Sequence, residues 1–460
     1  MRLLAGCSWR RPQPRQLVRC IAEATAEEAA AKQFQSFRKH PGIGHVQSVK
    51  IPEPLRQGVK VVLAKFQIPH LPERIKELCN YLWSRTLPIE MQPLQRRASQ
   101  VHRDVVKGYG FEETGDRLEK QKQDEMVESL VLQKLRKVTY HWKMLRYDEA
   151  MSLTFMAARM GGCHAATVRA LIEIKKRVPD FRPTSLLDFG SGTGSSVWAA
   201  HETWSGSIGD HYCVDVSPAM NKLADVLLRG GQENATSVIE RVYFRQFLPP
   251  SKVRYDVVVA AFSLSELGSA TDRLSTVLSL WQRTNSFLVL IENGTLSGYT
   301  ILMQARDALL QETDEQNKEN QGHVFAPCPH GLQCPRTLAR KLIPCNFTQN
   351  YQPFDFESKL HPSRTEKFSY LIFRRGEENA EQVWPRILQP VQCRTRHAHC
   401  LMCCSNGAIE HVVFTRQRHG RDLYRSIRHC KVGDRVPTDQ LDFKENFNHE
   451  SSDESSDESQ

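Results

Sequence analysis

Apolar residues recur at three- and four-residue spacing through "IKELCNYLWSRTLP", "MVESLVLQKLRKVTYHWKML" and "DEAMSLTFMAARMGGCHAATVRALIEIKKRV". That period marks helices with one buried face, so a helical region is expected over residues 50–180. Gly161 and Gly162 are expected to separate a pair of helices, and Pro179 to close the second.

From residue 185 the pattern changes. "SLLDFG", "HYCVDV", "RVYFRQF", "YDVVVAAF" and "SFLVLIEN" are short runs of bulky apolar residues, separated mostly by "SSVWAAHETW", "SPAMNKLADVLL" and "DRLSTVLSLWQRT". Buried strands alternating with helices predict an α/β fold with a parallel sheet. The core is placed at residues 181–312, and a cysteine-rich insert, further strands and a basic segment at 313–436. "FSYLIFRR" reads as a further strand, and "HVVFTRQRHGRDLYRSIRH" as a strand, a turn at Gly420, then a second strand or a helix.

The turn after the first strand is rich in glycine. "LLDFGSGTGSS" spaces Gly190, Gly192 and Gly194 as G-x-G-x-G behind Asp188. A dinucleotide fingerprint needs its last glycine at the position of Ser195, and no lysine follows to make a phosphate loop. The loop that remains is the one class I methyltransferases use for S-adenosyl-L-methionine. Asp215, in "CVDVS" at the end of the second strand, is placed to accept both ribose hydroxyls. The expected fold is therefore a class I S-adenosylmethionine-dependent methyltransferase-like, Rossmann-like sheet, and Asp188, Gly190, Gly192, Gly194 and Asp215 are its cofactor-binding candidates. After the fourth strand the chain reads "AAFSLSELG". It has neither the Asn/Asp-Pro-Pro-aromatic motif of amino methylation nor a nucleophilic cysteine. Glu266 is a candidate base, but a carboxylate at a helix start needs no such role. No catalytic residue is assigned.

Charge and chain ends add context. "MRLLAGCSWRRPQPRQLVRCIA" carries five arginines and no acid, so residues 1–22 are expected to be a mitochondrial transit peptide. The tail over 437–460 ends in "ESSDESSDES" and is expected to be acidic and disordered. The formal charge is +10 despite that tail, a balance that favours nucleic acid or an anionic surface as partner. No apolar run is long enough for a membrane-spanning helix.

Thirteen cysteines in a chain without a secretory leader suggest metal ligands where they cluster and core residues where they scatter. Cys79, Cys163 and Cys213 sit in apolar runs and take the core reading. Cys328, Cys334 and Cys345 lie in "FAPCPHGLQCPRTLARKLIPCNF", and Cys400, Cys403 and Cys404 in "HAHCLMCCSNG". The spacing fits an iron–sulfur cluster better than the paired knuckles of zinc, though zinc stays open on spacing alone.

Together "LLDFGSGTG", "VYFRQFLPP", "DVVVAAFSLSEL", "LIENGT", "APCPHGLQCP", "EKFSYLIF" and "RHGRDLYR" resemble a methyltransferase-like family of mitochondrial small-ribosomal-subunit proteins, over residues 70–435. The resemblance implies an assembly factor in the mitochondrial matrix, bound to the immature small ribosomal subunit, its rRNA and other assembly factors, without membrane insertion. It implies retained S-adenosyl-L-methionine binding without methyl transfer, an active rRNA methyltransferase being the alternative. It also implies a 4Fe-4S cluster on Cys328, Cys334, Cys345 and Cys403, with Cys400 and Cys404 as alternatives for the last ligand. The cluster would staple the insert to the C-terminal segment and so hold the basic stretch from Arg416 to Arg435, with Tyr424 inside it, against RNA.

Overall fold

The computed structural model describes residues 40–437 except 89–90, 110–116, 140–143, 251–252, 314–320, 340–341, 355–362 and 378–382. The expected transit peptide and nearly all of the acidic tail lie outside the described residues.

Four helices lead: α1 (Glu53–Lys65), α2 (Leu71–Ser84), α3 (Met91–Tyr109) and α4 (Arg117–Thr139). The fifth, α5 (Glu149–Arg177), starts where the Asp148 side chain accepts from Met151 N, and it is buried along most of its length. Here the sequence reading needs correction. Gly161 and Gly162 do not divide α5; they let strands approach it. A Cβ on Gly161 would press on the Tyr351 ring at 3.0 Å, and one on Gly162 would overlap the Glu366 carboxylate.

The remaining helices are α6 (Ser195–Thr203), α7 (Pro218–Leu228), α8 (Ala270–Gln282) and α9 (Leu296–Glu312), then the short α10 (Pro335–Leu338), α11 (Arg416–His419) and α12 (Arg421–His429). The strands of the main sheet are β1 (Ser185–Phe189), β2 (Asp210–Val214), β3 (Val242–Arg245), β4 (Tyr255–Ala261), β5 (Thr284–Asn293), β6 (Gly322–Ala326), β7 (Phe347–Tyr351) and β8 (Arg364–Arg375). Their order is β3-β2-β1-β4-β5-β8-β6, with β7 also on β8. The first five are mutually parallel. β8 runs antiparallel to β5, β6 and β7. This is the expected class I methyltransferase-like sheet. The order reverses between β1 and β4, and a crevice is expected there at the carboxyl ends of the strands.

β6 and β7 share one edge of β8. Ala326 pairs with Ile372 and Phe347 with Phe368, so they form one broken edge strand. The excursion carrying Cys328, Cys334 and Cys345 leaves and re-enters at the break, opposite Ser369, Tyr370 and Leu371. Such an edge needs cover, because unpaired backbone groups cannot be buried cheaply. Ser369 gives some of that cover by donating to the Cys345 carbonyl at 2.8 Å.

A second sheet holds β9 (Arg386–Ile387), β10 (Gln392–Cys393), β11 (His397–Cys403) and β12 (Ile409–Thr415). Its own core joins Ala398, Cys400, Met402 and Phe414 to Leu423 and Ile427 of α12. The segment expected to run strand, turn, then strand or helix is thus strand β12, helix α11, Gly420 at φ 76° and helix α12.

Candidate functional site

Two sites emerge, one at the switch point and one at the broken edge of the main sheet. At the switch point, β1 delivers the chain into a loop whose Gly190, Gly192 and Gly194 have φ of 68°, 50° and 81°. Side chains rarely adopt that conformation, and a Cβ on Gly190 would also overlap Ser263. The loop is pinned from the neighbouring strand. Gly192 N donates to Asp215 Oδ2 at 2.9 Å, and Ser217 N to Oδ1 at 2.9 Å.

Gly190, Gly192 and Asp215 line a cavity of about 280 Å³, with Phe247, Phe262 and Tyr147 among the other walls. Two candidates stand back from it. Gly194 opens α6, and Asp188 lies fully buried beneath the loop, with the Ser196 side chain beside its carboxyl. Burial, reinforced by the charge of Asp215, pushes the Asp188 carboxyl up to about 7. The hydroxyls of Ser191, Thr193 and Ser263 are buried here without partners. A cavity floored by flexible-backbone glycines and rimmed by unsatisfied polar groups fits a polar cofactor.

Several residues here escaped the sequence reading. Phe262 adopts φ 58°, costly for an aromatic side chain; its ring lies 5.2 Å from the Arg159 guanidinium. Glu266, the candidate base, is held by Arg85 Nη1 at 2.6 Å and Nη2 at 3.0 Å, and by the Tyr147 hydroxyl at 3.1 Å. The helical region thus occupies the one carboxylate that "AAFSLSELG" offers. No local signal links Arg85 or Tyr147 to Glu266, since 181 and 119 residues separate them.

The second site is at the broken edge. Cys328, Cys334, Cys345 and Cys403 line one pocket between α9, β8 and the small sheet. Each cysteine segment is tied to different scaffolding. Cys334 Sγ is 3.2 Å from the Tyr299 hydroxyl, and Cys403 Sγ is 3.4 Å from His330 Nε2. The buried Arg306 donates to the carbonyls of His330 at 2.9 Å and Leu332 at 2.6 Å, shaping the loop between the first two cysteines. Burial raises the thiols of Cys328, Cys345 and Cys403, that of Cys345 to about 12. Among the described residues no three potential ligands converge as on a single ion.

Strand alternation separates the candidates for the last ligand. Ala398, Cys400 and Met402 face the core of the small sheet, whereas Cys403 turns to the pocket. Cys404 lies in the same small core as Cys400.

Residues 149–437 match the sequence profile of the family described as mitochondrial small ribosomal subunit Rsm22. The chain belongs to this family. Ribosome assembly protein METTL17, mitochondrial, from Homo sapiens is 44% identical over 430 residues, covering 93% of this chain and 91% of that protein. Rsm22-cox11 tandem protein 2, mitochondrial, from Schizosaccharomyces pombe is 25% identical over 55% of this chain and 38% of its own length. Solved structures are more distant. Magnesium protoporphyrin IX methyltransferase from Synechocystis with bound SAM is 12% identical, covers 57% of this chain and all of its own, and has a TM-score of 0.30. An arsenic(III) S-adenosylmethionine methyltransferase from Chlamydomonas reinhardtii is 12% identical, covers 47% of this chain and 75% of its own, and has a TM-score of 0.26. Family membership agrees with the resemblance seen in the sequence.

Among the described residues no helix is long and apolar enough to cross a membrane.

Proposed function

We propose that this Rsm22-family chain is an assembly factor of the mitochondrial small ribosomal subunit that acts in the matrix. It binds the immature subunit and its rRNA, keeps S-adenosyl-L-methionine in the switch-point cavity, and carries a 4Fe-4S cluster on Cys328, Cys334, Cys345 and Cys403. The observation that carries the reading is the likeness to a ribosome assembly protein over 93% of the chain.

Asp215, fixed by two backbone amides, is the acceptor for ribose hydroxyls, and the bare glycine backbone admits the methionine moiety. Buried hydroxyls of Ser191 and Thr193 are available to polar groups of the cofactor. Positioning alone supports methyl transfer to a well-held nucleophile, so the cofactor cavity leaves the active rRNA methyltransferase as the second reading. Against it, Glu266, the one carboxylate that "AAFSLSELG" brings to the cavity wall, is already engaged by Arg85 and Tyr147.

A bound cluster supplies metal–thiolate links between the excursion at the β6–β7 break and β11. The chain's own contribution is four thiols facing one pocket from three loop segments and one strand end, those of Cys334 and Cys403 buried and those of Cys328 and Cys345 half-buried, with Arg306 and Arg386 partly opposing the burial that raises Cys328. Such a site binds only the folded form, so it stabilises the junction of the two sheets. The exposed Arg416, Arg418, Arg421 and Arg428 on α11 and α12 then stand on a fixed platform for RNA phosphates. Arg435, the last cation of that stretch, is buried 5.0 Å from the Trp384 ring and does not belong to this exposed set.

The test is sedimentation of the full chain with small-subunit assembly intermediates, paired with transfer of labelled methyl to their rRNA. Co-sedimentation without label transfer is expected. Transfer that Asp215→Ala abolishes would establish the methyltransferase reading instead.

A further inference from the structure

α5 and β8 lie against each other, and their facing polar side chains are partnered until the C-terminal ends. Arg159 forks onto Glu366, with both nitrogens at 3.0 Å. Two strand repeats further along β8, Glu173 accepts from the Tyr370 hydroxyl at 2.7 Å. The next pair breaks the pattern. Arg177 of α5 and Arg374 of β8 line one cleft together with His323, Trp384, Arg386 and Arg435.

No carboxylate lines that cleft among the described residues, and Cys328, the proposed cluster ligand, lies at its inner wall with Pro327 and Pro329. Glu173 is the neighbouring acid, and it is shared among Arg386 at 2.5 Å, Arg169 at 3.4 Å and Arg177 at 3.6 Å. The Arg177 guanidinium stacks 3.6 Å from the Phe325 ring centre and leaves its buried Nε without a partner. Arg374 makes no ion pair among the described residues; its guanidinium sits 5.5 Å from the Phe287 ring. Burial and the facing guanidinium of Arg435 lower Arg177 to about 9, and burial lowers Arg374. The change at Arg177 records burial together with the facing cations Arg435 and Arg386, and that at Arg374 records burial alone.

Guanidinium forks held on aromatic faces match the oxygens of a phosphate. Arg435 also ends the basic segment whose α11 and α12 expose Arg416, Arg418 and Arg421. We propose that this cleft seats a backbone phosphate of structured RNA, gripped by Arg177 and Arg374 with Arg435 behind them. The inference rests on the rRNA-binding reading above and assigns it a second contact point, on the main sheet instead of the C-terminal helices. His323 does not add charge: burial lowers it, and its Nδ1 lies 2.9 Å from the Gly376 carbonyl.

The experiment measures binding of the full chain to in vitro transcribed small-subunit rRNA across a salt series, for wild type, Arg374→Gln and the exposed control Arg103→Gln. Each phosphate contact contributes about 0.9 to the slope of log affinity against log salt on duplex helices and about 0.7 on single strands. Arg374→Gln is expected to lower the slope by nearly one and to weaken binding about 3- to 10-fold at physiological salt, roughly the effect of one lost contact. Arg103→Gln is expected to change neither. Thermal melting and iron content, measured on the same preparations, are expected to match wild type, because Arg374 enters no ion pair among the described residues. Wild-type slope and affinity in Arg374→Gln would overturn the cleft and leave the assembly reading standing. Failure of the wild-type chain to bind rRNA at all would remove both.

Discussion

Arg386 of β9 reaches Glu173 of α5, with Nη2 2.5 Å from Oε1, and its Nε donates to the Pro327 carbonyl beside Cys328. Both side chains are 3% exposed. One guanidinium therefore joins the small sheet, the long helix and the start of the cysteine excursion. Three arginines hold the Glu173 carboxyl well below the usual range against the opposing cost of burial. Breaking one side of a buried pair leaves the other charge uncompensated. Arg386→Met is expected to lower stability by about 3–5 kcal/mol, read by chemical denaturation, and to loosen Cys328 more than Cys345. A loss below about 1 kcal/mol would mean that the pair is solvated and not structural.

Stability should depend on pH through Asp188 and Glu292. Burial raises both to about 7, whereas carboxyls in an unfolded chain titrate near 4, roughly. The folded chain thus keeps protons that the unfolded chain releases, so stability falls as pH rises from about 4 to about 7 and levels off above. Asp188→Asn and Glu292→Gln should each flatten this slope, by on the order of a few kcal/mol. Urea titrations between these pH values check it, and a variant with the wild-type slope would remove that residue from the account.

Gly192 sits at φ 50° with Asp215 hydrogen-bonded to its amide. Gly192→Asp introduces strain and a second carboxylate next to Asp215, and should abolish S-adenosyl-L-methionine binding in calorimetry while the thermal unfolding stays cooperative. Asp215→Ala should weaken binding about tenfold or more, the loss of a charged acceptor being about 1.5–3 kcal/mol. Unaltered affinity in both variants would move the cofactor elsewhere.

Gly162→Ala is a test of packing alone. Its methyl would meet the Glu366 carboxylate that Arg159 holds from α5, and overpacking of this kind costs about 1–3 kcal/mol. A neutral or stabilising substitution would mean that β8 can retreat from the helix.

Much of this was readable in advance, for physical reasons. Strands buried on both faces, as in "YDVVVAAF", announce a parallel sheet, and a glycine loop between such a strand and a helix announces a ligand crevice. Glycines inside a helix carry two meanings. Only the nearness of Tyr351 and Glu366, about 200 residues away, shows that Gly161 and Gly162 are contact points and not a break. The Arg85–Glu266 clasp is of similarly long range, and the broken edge strand shows only in the separate pairing of β6 and β7 with β8. The separation of Cys403 from Cys400 was within reach: in "HAHCLMCC" the alternation of Ala398, Cys400 and Met402 already puts Cys403 on the other face.

Four thiols in one pocket are proposed to hold an iron–sulfur cluster that fastens the two sheets. The direct measurement is iron, acid-labile sulfide and zinc in the full chain purified without oxygen, for wild type, Cys403→Ser and Cys400→Ser. The account predicts about four irons and four sulfides per chain, lost in Cys403→Ser and kept in Cys400→Ser. One zinc without sulfide would contradict it and make the same pocket a zinc-stabilised RNA-binding module.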